Sequence, residues 1–138
     1  MDEIDQIIIE YLMKNARIPK ATLSKKLNLT EAAVRKRFKK LESSQTILGY
    51  KAIVDYQKAG KVASITGVDV EPEKLWRVIE KLKVLDEINT ITLTSGDHMM
   101  LVEVVVRTMS ELEEVHKKIE EFDGVIKVCP AILIKNIK

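Results

Sequence analysis

The sequence contains little that could cross-link the chain or hold a metal ion. Its 138 residues include one cysteine, two histidines and an aromatic fraction of 4%. Cys129 has no partner for an internal disulfide, which is typical of proteins in a reducing cytoplasm. We therefore expect a cytoplasmic location. The cysteine and the histidines are also widely separated, so we expect no zinc site and no cofactor.

Long apolar runs are absent as well. No stretch offers the roughly 20 apolar residues that a membrane helix needs, and no signal-peptide pattern is present. Charge, by contrast, is plentiful and unevenly distributed. Residues 1–60 carry 12 Lys and Arg against 7 Asp and Glu, whereas residues 61–138 carry 11 against 14. This asymmetry predicts that only the first half binds nucleic acid. The lack of a long apolar run predicts that the chain has no contact with a membrane.

Residues 23–42 have the pattern of two short helices joined by a tight turn. Asn28 tolerates the left-handed backbone that ends a helix, and Thr30 is a good N-cap for the next one. Three residues then form an apolar stripe at helical spacing: Val34, Phe38 and Leu41. Four basic residues lie largely outside that stripe: Arg35, Lys36, Lys39 and Lys40.

A helix with an apolar back and a cationic front, preceded by a short helix and a turn, is typical of a DNA-binding helix-turn-helix. Its N-terminal residues enter the major groove, and flanking basic side chains contact phosphates. The predicted DNA-binding residues are Thr30, Glu31, Ala32, Arg35, Lys36, Lys39 and Lys40. The alternative interpretation is a solvated, lysine-rich helix in a helical domain without DNA contact.

The rest of the chain predicts an α+β organisation. Helices are expected over 3–15, 20–27 and 31–43, followed by a strand-like connector after residue 47. Strands are expected over 62–70, 88–94, 99–107 and 125–137, with helices over 73–85 and 111–122, the latter capped by Ser110. The order βαββαβ is the ferredoxin-like plan. Three segments result: a helix-turn-helix domain (1–46), a strand linker (47–60) and a βαββαβ domain (61–138).

Residues 99–106 and the last strand are apolar on both faces. Because both helices must cover one face of the sheet, the other face needs a second cover, and no segment of the chain is left to supply it. The pattern therefore predicts a homodimer that forms through the second domain.

A few other residues suggest chemistry in isolation. Ser95, Asp97 and His98 could suggest a catalytic site, but adjacent residues on a turn do not converge as a triad does. We interpret them as a β-turn and expect no catalytic residue. His116 and Trp76 are expected to have packing roles.

The two halves together resemble the Lrp/AsnC (leucine-responsive, or feast–famine) family of regulators, most closely its archaeal branch. The segments that carry the resemblance span nearly the whole chain: 2–5 (DEID), 15–18 (NARI), 30–37 (TEAAVRKR), 41–42 (LE), 47–50 (ILGY), 95–97 (SGD) and 124–125 (GV). The resemblance implies a winged-type helix-turn-helix, a strand linker and a sensing domain that dimerises through its sheet. It also implies assembly of dimers into octamers or other multiples, with amino acids bound between dimers.

The family's effector loop, Gly-Asp-Tyr-Asp, corresponds to Gly96, Asp97, His98 and Met99 in this chain. The resemblance therefore implies effector-binding residues at Gly96, Asp97 and His98, whereas Met99 replaces a carboxylate suited to an ammonium group.

The leading hypothesis is a sequence-specific transcription regulator of amino-acid metabolism genes that binds double-stranded DNA. The first alternative is an architectural protein that coats DNA with weak sequence choice and has no small-molecule effector. The second is an enzyme, since βαββαβ domains also host catalysis. Against it, the sequence has no nucleophile–base pair, metal cluster or phosphate loop.

Overall fold

The first part of the chain is a unit of three helices. The computed structural model describes residues 1–138 and divides into two units, Met1–Ala52 and Ile53–Lys138. In the first unit, α1 is Glu3–Lys14, α2 is Lys20–Leu27 and α3 is Glu31–Ser43. Asn28 ends α2 in the left-handed region, as predicted. The core of the unit consists of Ile8, Leu23, Val34, Phe38 and Leu41.

The second unit is a four-stranded antiparallel sheet with two helices. Strand β1 is Val62–Val70, a single 3₁₀ turn is Pro72–Lys74, α4 is Leu75–Lys83, β2 is Ile88–Leu93 and β3 is Met100–Val106. Helix α5 is Met109–Glu120, and β4 is Val125–Ile132. The strand order is β2-β3-β1-β4. The predicted βαββαβ plan is confirmed, and Pro130 lies in an edge strand, where its missing N–H costs no ladder bond.

Both helices of the second unit cover the same face of the sheet. Their buried residues pack against alternate residues of β1 and β3 in one core: Val68, Val70, Val78, Ile79, Leu82, Met100, Val102, Val104, Val106, Leu112, Val115 and Ile119. On the other face, Ile65 and Leu101 are 42% and 36% exposed. We call this second surface the open face; neither α4 nor α5 covers it.

Several predicted elements differ from the structure. No strand forms between residues 47 and 60, because no segment of this chain pairs with that stretch. The first unit therefore also lacks the wing of paired strands that the family resemblance implies. The units divide after Ala52, and residues 56–60 form a turn. Thr108, not Ser110, caps α5 by accepting a hydrogen bond from the Glu111 N–H. Trp76 is 66% exposed, so its predicted packing role within the chain is wrong.

Candidate nucleic-acid interface

Helix α3 presents the predicted DNA-binding residues on one solvent-exposed surface. Thr30 caps the helix, and its hydroxyl accepts a hydrogen bond from the Ala33 N–H at 3.1 Å. All seven predicted residues are exposed: Thr30, Glu31, Ala32, Arg35, Lys36, Lys39 and Lys40. The buried stripe of Val34, Phe38 and Leu41 lies on the opposite side, so the helix has an apolar back and a basic front.

Glu31 and Arg35 form an ion pair on this surface, one helical turn apart. The Arg35 Nη1–Glu31 Oε2 distance is 3.5 Å, and both side chains are more than half exposed. An exposed pair of this kind contributes little to stability, typically below about 1 kcal/mol. The Arg35 guanidinium is therefore available to exchange this partner for another acceptor.

Sequence reasoning missed the role of Arg37, which is half-buried whereas the other basic residues of α3 are exposed. Its Nη1 lies 2.7 Å from Asp2 Oδ2 and 3.0 Å from Asp5 Oδ1, both on the first turns of the chain. The Arg37 guanidinium, with help from the Asp5 N–H, holds the pKa of the Asp2 carboxyl below its usual value. The Asp2 carboxylate in turn raises the pKa of Arg37.

A signal for this ion pair was present in the sequence. Asp5 lies between Ile4 and Ile8, on the side of α1 that faces the core, and it is 2% exposed in the structure. A carboxylate at such a position needs a cationic partner. Helical periodicity does not show that this partner is Arg37, which lies 32 residues further along the chain.

The predicted effector loop lies between β2 and β3. Its tip, Gly96 and Asp97, is exposed, whereas His98 folds back against the sheet. His98 Nδ1 lies 2.8 Å from Asp69 Oδ2, and the Met99 N–H donates to Asp69 Oδ1 at 2.9 Å. The hydrogen bond with His98, followed by that from the Met99 N–H, lowers the pKa of the Asp69 carboxyl. Asp69, on β1, was not predicted from the sequence.

Gly67 is the residue on which the His98 ring rests. A Cβ added at this position would overlap the Cδ2 and Cγ atoms of His98, and it would lie 2.7 Å from Nε2. The bare backbone of Gly67 is thus what lets the imidazole lie against the open face. The structure separates the three predicted effector residues: two remain at the tip, and the third is bonded to Asp69.

Candidate metal sites and membrane-spanning helices are absent from the structure. No group of three or more His, Cys, Asp or Glu side chains is arranged to hold a metal ion. None of the helices combines the length and apolarity required to cross a bilayer.

Comparison with known proteins covers both units. Residues 1–42 match the AsnC-type helix-turn-helix domain, and residues 63–138 match the Lrp/AsnC ligand binding domain. The chain is 44% identical to the HTH-type transcriptional regulator LrpA of Pyrococcus horikoshii, over 100% of this chain and 99% of that protein. It is 29% identical to LrpA1 of Halobacterium salinarum, over 99% and 98% of the two chains.

A solved structure also matches the chain over its full length. The structure of AsnC from Escherichia coli superposes with a TM-score of 0.68 at 26% identity, covering 100% of this chain and 95% of that chain. The two matched domains, their order and the full-length identity to archaeal relatives agree with the fold and with the exposed basic helix. This chain belongs to the Lrp/AsnC family of DNA-binding transcription regulators, within its archaeal group.

Proposed function

We propose that α3 is the recognition helix of a sequence-specific regulator and that its exposed front carries the specificity. The observation that supports this most is the basic surface of α3. The helix is capped at Thr30, and its opposite side is buried. Residues at the start of the helix face bases, with Arg35 as the bidentate donor suited to guanine. Lys36, Lys39 and Lys40 contact phosphates.

The competing function is an architectural one, in which the chain coats DNA with little sequence choice. Both functions use the same basic residues, so affinity alone does not separate them. Binding to a duplex selected from a random library, and to a scrambled duplex of equal composition, is measured over a range of salt concentrations. A sequence-specific regulator prefers the selected duplex by about 10³-fold or more. Equal affinity for both duplexes contradicts the proposal and supports the architectural function.

Two variants assign the contacts. We expect Arg35→Ala to cost about 1–3 kcal/mol on the selected duplex and much less on the scrambled one, because it removes a base contact. Lys39→Ala is the matched control: it weakens both complexes about equally and lowers the salt slope by roughly one. An equal loss on both duplexes for Arg35→Ala would make this residue a phosphate contact.

The open face of the sheet is proposed as the subunit interface. It leaves Ile65 and Leu101 exposed beside half-buried Val105, and an apolar surface on a sheet is stable when a second sheet covers it. A two-fold dimer would place its recognition helices roughly 34 Å apart, or a multiple of that spacing, on an inverted-repeat operator. Dimers would assemble further, into an octamer or a similar multiple, as the family resemblance implies.

An amino acid is the proposed effector, bound at the loop of Gly96, Asp97 and His98 and controlling genes of amino-acid metabolism. The matched ligand binding domain supports a small-molecule site. Met99 replaces a carboxylate of the family's loop, and the Asp69 carboxylate, 22% exposed and hydrogen-bonded to His98 and the Met99 N–H, is proposed to take its place. The function is regulatory and not enzymatic, in keeping with the named relatives, which are transcriptional regulators.

Thermal unfolding with each of the twenty amino acids tests the effector. A ligand that binds only the folded chain stabilises it by about 2.7 kcal/mol at a concentration of 100 Kd, which raises the melting temperature. We expect one or a few amino acids to do so, and Asp97→Asn to abolish the effect. The matched control is Asp86→Asn, an exposed carboxylate outside this loop. No shift with any amino acid at millimolar concentration would contradict an amino-acid effector.

A further inference from the structure

Arg37 is the basic residue of α3 whose guanidinium is paired with two carboxylates at the start of α1. Lys36, Lys39 and Lys40 are exposed, whereas the side chain of Arg37 is 27% exposed and is directed towards α1. A single nitrogen, Nη1, contacts three carboxylate oxygens: Asp2 Oδ1 at 2.9 Å, Asp2 Oδ2 at 2.7 Å and Asp5 Oδ1 at 3.0 Å. The ion pairs span 35 and 32 residues, so they join two helices that are distant in sequence.

The two acidic partners fix both the position and the direction of the contact. Asp2 is the N-cap of α1, and its Oδ1 also accepts the Asp5 N–H at 2.9 Å. Asp5 has 3% side-chain exposure, so its carboxylate depends on Arg37 for a cationic partner. Removing one member of a buried ion pair leaves an uncompensated charge, and the structure then repacks or loses stability.

The apolar contacts of α3 do not provide the same restraint. Val34, Phe38 and Leu41 bury the back of the helix, but hydrophobic burial is non-directional and tolerates small rotations. A charge-assisted hydrogen bond depends on distance and angle. A displacement of only about 1 Å in the helix is enough to lengthen the Arg37 contacts beyond hydrogen-bonding range.

We propose that Arg37 is a positioning residue: its ion pairs with Asp2 and Asp5 set the orientation of α3 on α1, and so determine how Arg35 meets the bases, without contact between Arg37 and DNA. The inference rests on the proposed role of α3 as the recognition helix. It assigns to the N-terminal turn of α1 a part in sequence preference, although that turn carries two acidic side chains unsuited to approach phosphate.

The test uses the full-length chain with the selected and scrambled duplexes defined above. Arg37→Gln is expected to lower the ratio of the two affinities by about fivefold or more, the low end of what one mismatched base pair costs. The salt slope on the scrambled duplex is expected to stay unchanged, because no phosphate contact is lost. If Arg37→Gln instead weakens both complexes equally and reduces the slope by about one, Arg37 is a phosphate contact and the inference is wrong.

Changing the partners separates positioning from contact while Arg37 itself stays in place. Asp5→Asn and Asp2→Asn both weaken the ion pair, and the positioning role predicts a lower affinity ratio in each. If Arg37 contacted DNA directly, releasing it from a carboxylate would leave the ratio unchanged or strengthen binding. An unchanged ratio in both variants overturns the inference.

Arg37→Lys is the conservative variant. Because all three contacts involve one nitrogen, an ammonium group with three N–H donors can replace them, and we expect it to restore most of the ratio. Circular dichroism checks that each variant is folded. Asp2→Asn keeps the test decisive if the others unfold, because the Asp2 side chain is 56% exposed and its removal leaves Asp5 paired.

The Arg35→Ala variant shows whether a failure concerns the positioning role of Arg37 alone or the assignment of α3 as the recognition helix. If Arg35→Ala lowers the ratio and none of the Arg37, Asp2 and Asp5 variants does, only the positioning role fails. If Arg35→Ala and the Arg37 variants all leave the ratio unchanged, the assignment of α3 as the recognition helix fails with it.

Discussion

His116 is a titratable residue inside the core of the second unit. Its Nε2 lies 2.8 Å from Thr66 Oγ1 and 3.0 Å from Ser64 Oγ, and both hydroxyl residues, on β1, are completely buried. The packing role expected of His116 is confirmed, since the residue is buried beneath the sheet and bonded to both hydroxyls. The two hydroxyls were not predicted as its partners, because nothing in their spacing indicates which helix lies above them.

Burial lowers the pKa of His116 below its usual 6.5, with a smaller opposing contribution from Glu120. The unfolded chain therefore binds the proton more tightly than the folded chain. The contribution of this residue to stability is complete above about pH 6.5 and is lost as the pH falls below that value.

Urea unfolding at pH 7.5 and 5.5 measures this effect. His116→Gln is expected to remove a large part of the pH dependence of the free energy of unfolding in this interval. If the wild-type chain is equally stable at both pH values, the assignment of a neutral His116 in the core is wrong.

At the scale of elements, the helices of the first unit were predictable because their signals are local. The bounds of α2 and α3 agree with the predicted 20–27 and 31–43, since Asn28, Thr30 and the apolar stripe mark each end and face within the sequence itself. Strand β1 also agrees with the predicted 62–70. The errors occurred where an element depends on a distant partner.

Strand β4 and helix α5 show this dependence. The ladder between β4 and β1 ends at the pair Ser64 and Ile132, with one further bond from the Leu133 N–H to the Ala63 carbonyl. The apolar residues beyond it continue the strand pattern without a strand to pair with. Helix α5 begins early because β3 ends at Val106, which places Thr108 at the turn.

The position of this cap gives a direct prediction. Thr108→Ala is expected to lower the stability of the second unit by about 1 kcal/mol, because the Glu111 N–H loses its acceptor. Ser110→Ala is the matched control, since Ser110 lies within α5 and should change stability by less than about 0.5 kcal/mol. Thermal unfolding of the two variants decides between the caps, and a larger loss for Ser110→Ala would contradict the structure.

At the scale of the whole molecule, the open face of the sheet predicts self-association. Tyr56 covers only part of this face: its hydroxyl donates to Glu103 Oε1 at 2.7 Å, and burial together with this bond raises the pKa of Tyr56 to about 12. The neighbouring Ile65 and Leu101 remain exposed.

A charge placed on this face is expected to prevent association. Leu101→Glu should sediment as a monomer at concentrations where the wild-type chain is a dimer or larger, because a buried, unpaired carboxylate is costly. Val84→Glu is the control, since Val84 is 78% exposed and caps the C-terminus of α4, outside the four strands. A Leu101→Glu variant with the same mass as the wild-type oligomer would place the interface elsewhere.

The sequence alone determined the features that arise from neighbouring residues. Hydrogen-bonding groups close in sequence indicate the capped basic helix. Local periodicity indicates the βαββαβ order and the strands that are apolar on both faces. For the same reason, the exposed side of α3 could be predicted residue by residue.

The tertiary structure alone decided which distant groups meet. The contacts of Arg37 with Asp2 and Asp5, of His98 with Asp69 over Gly67, and of His116 with β1 join residues 29 to 52 positions apart. Each pair satisfies a charge or a polar group in a partly or fully buried place, and burial is known only when the chain is folded. Local patterns show that such a group needs a partner, and only packing shows which residue supplies it.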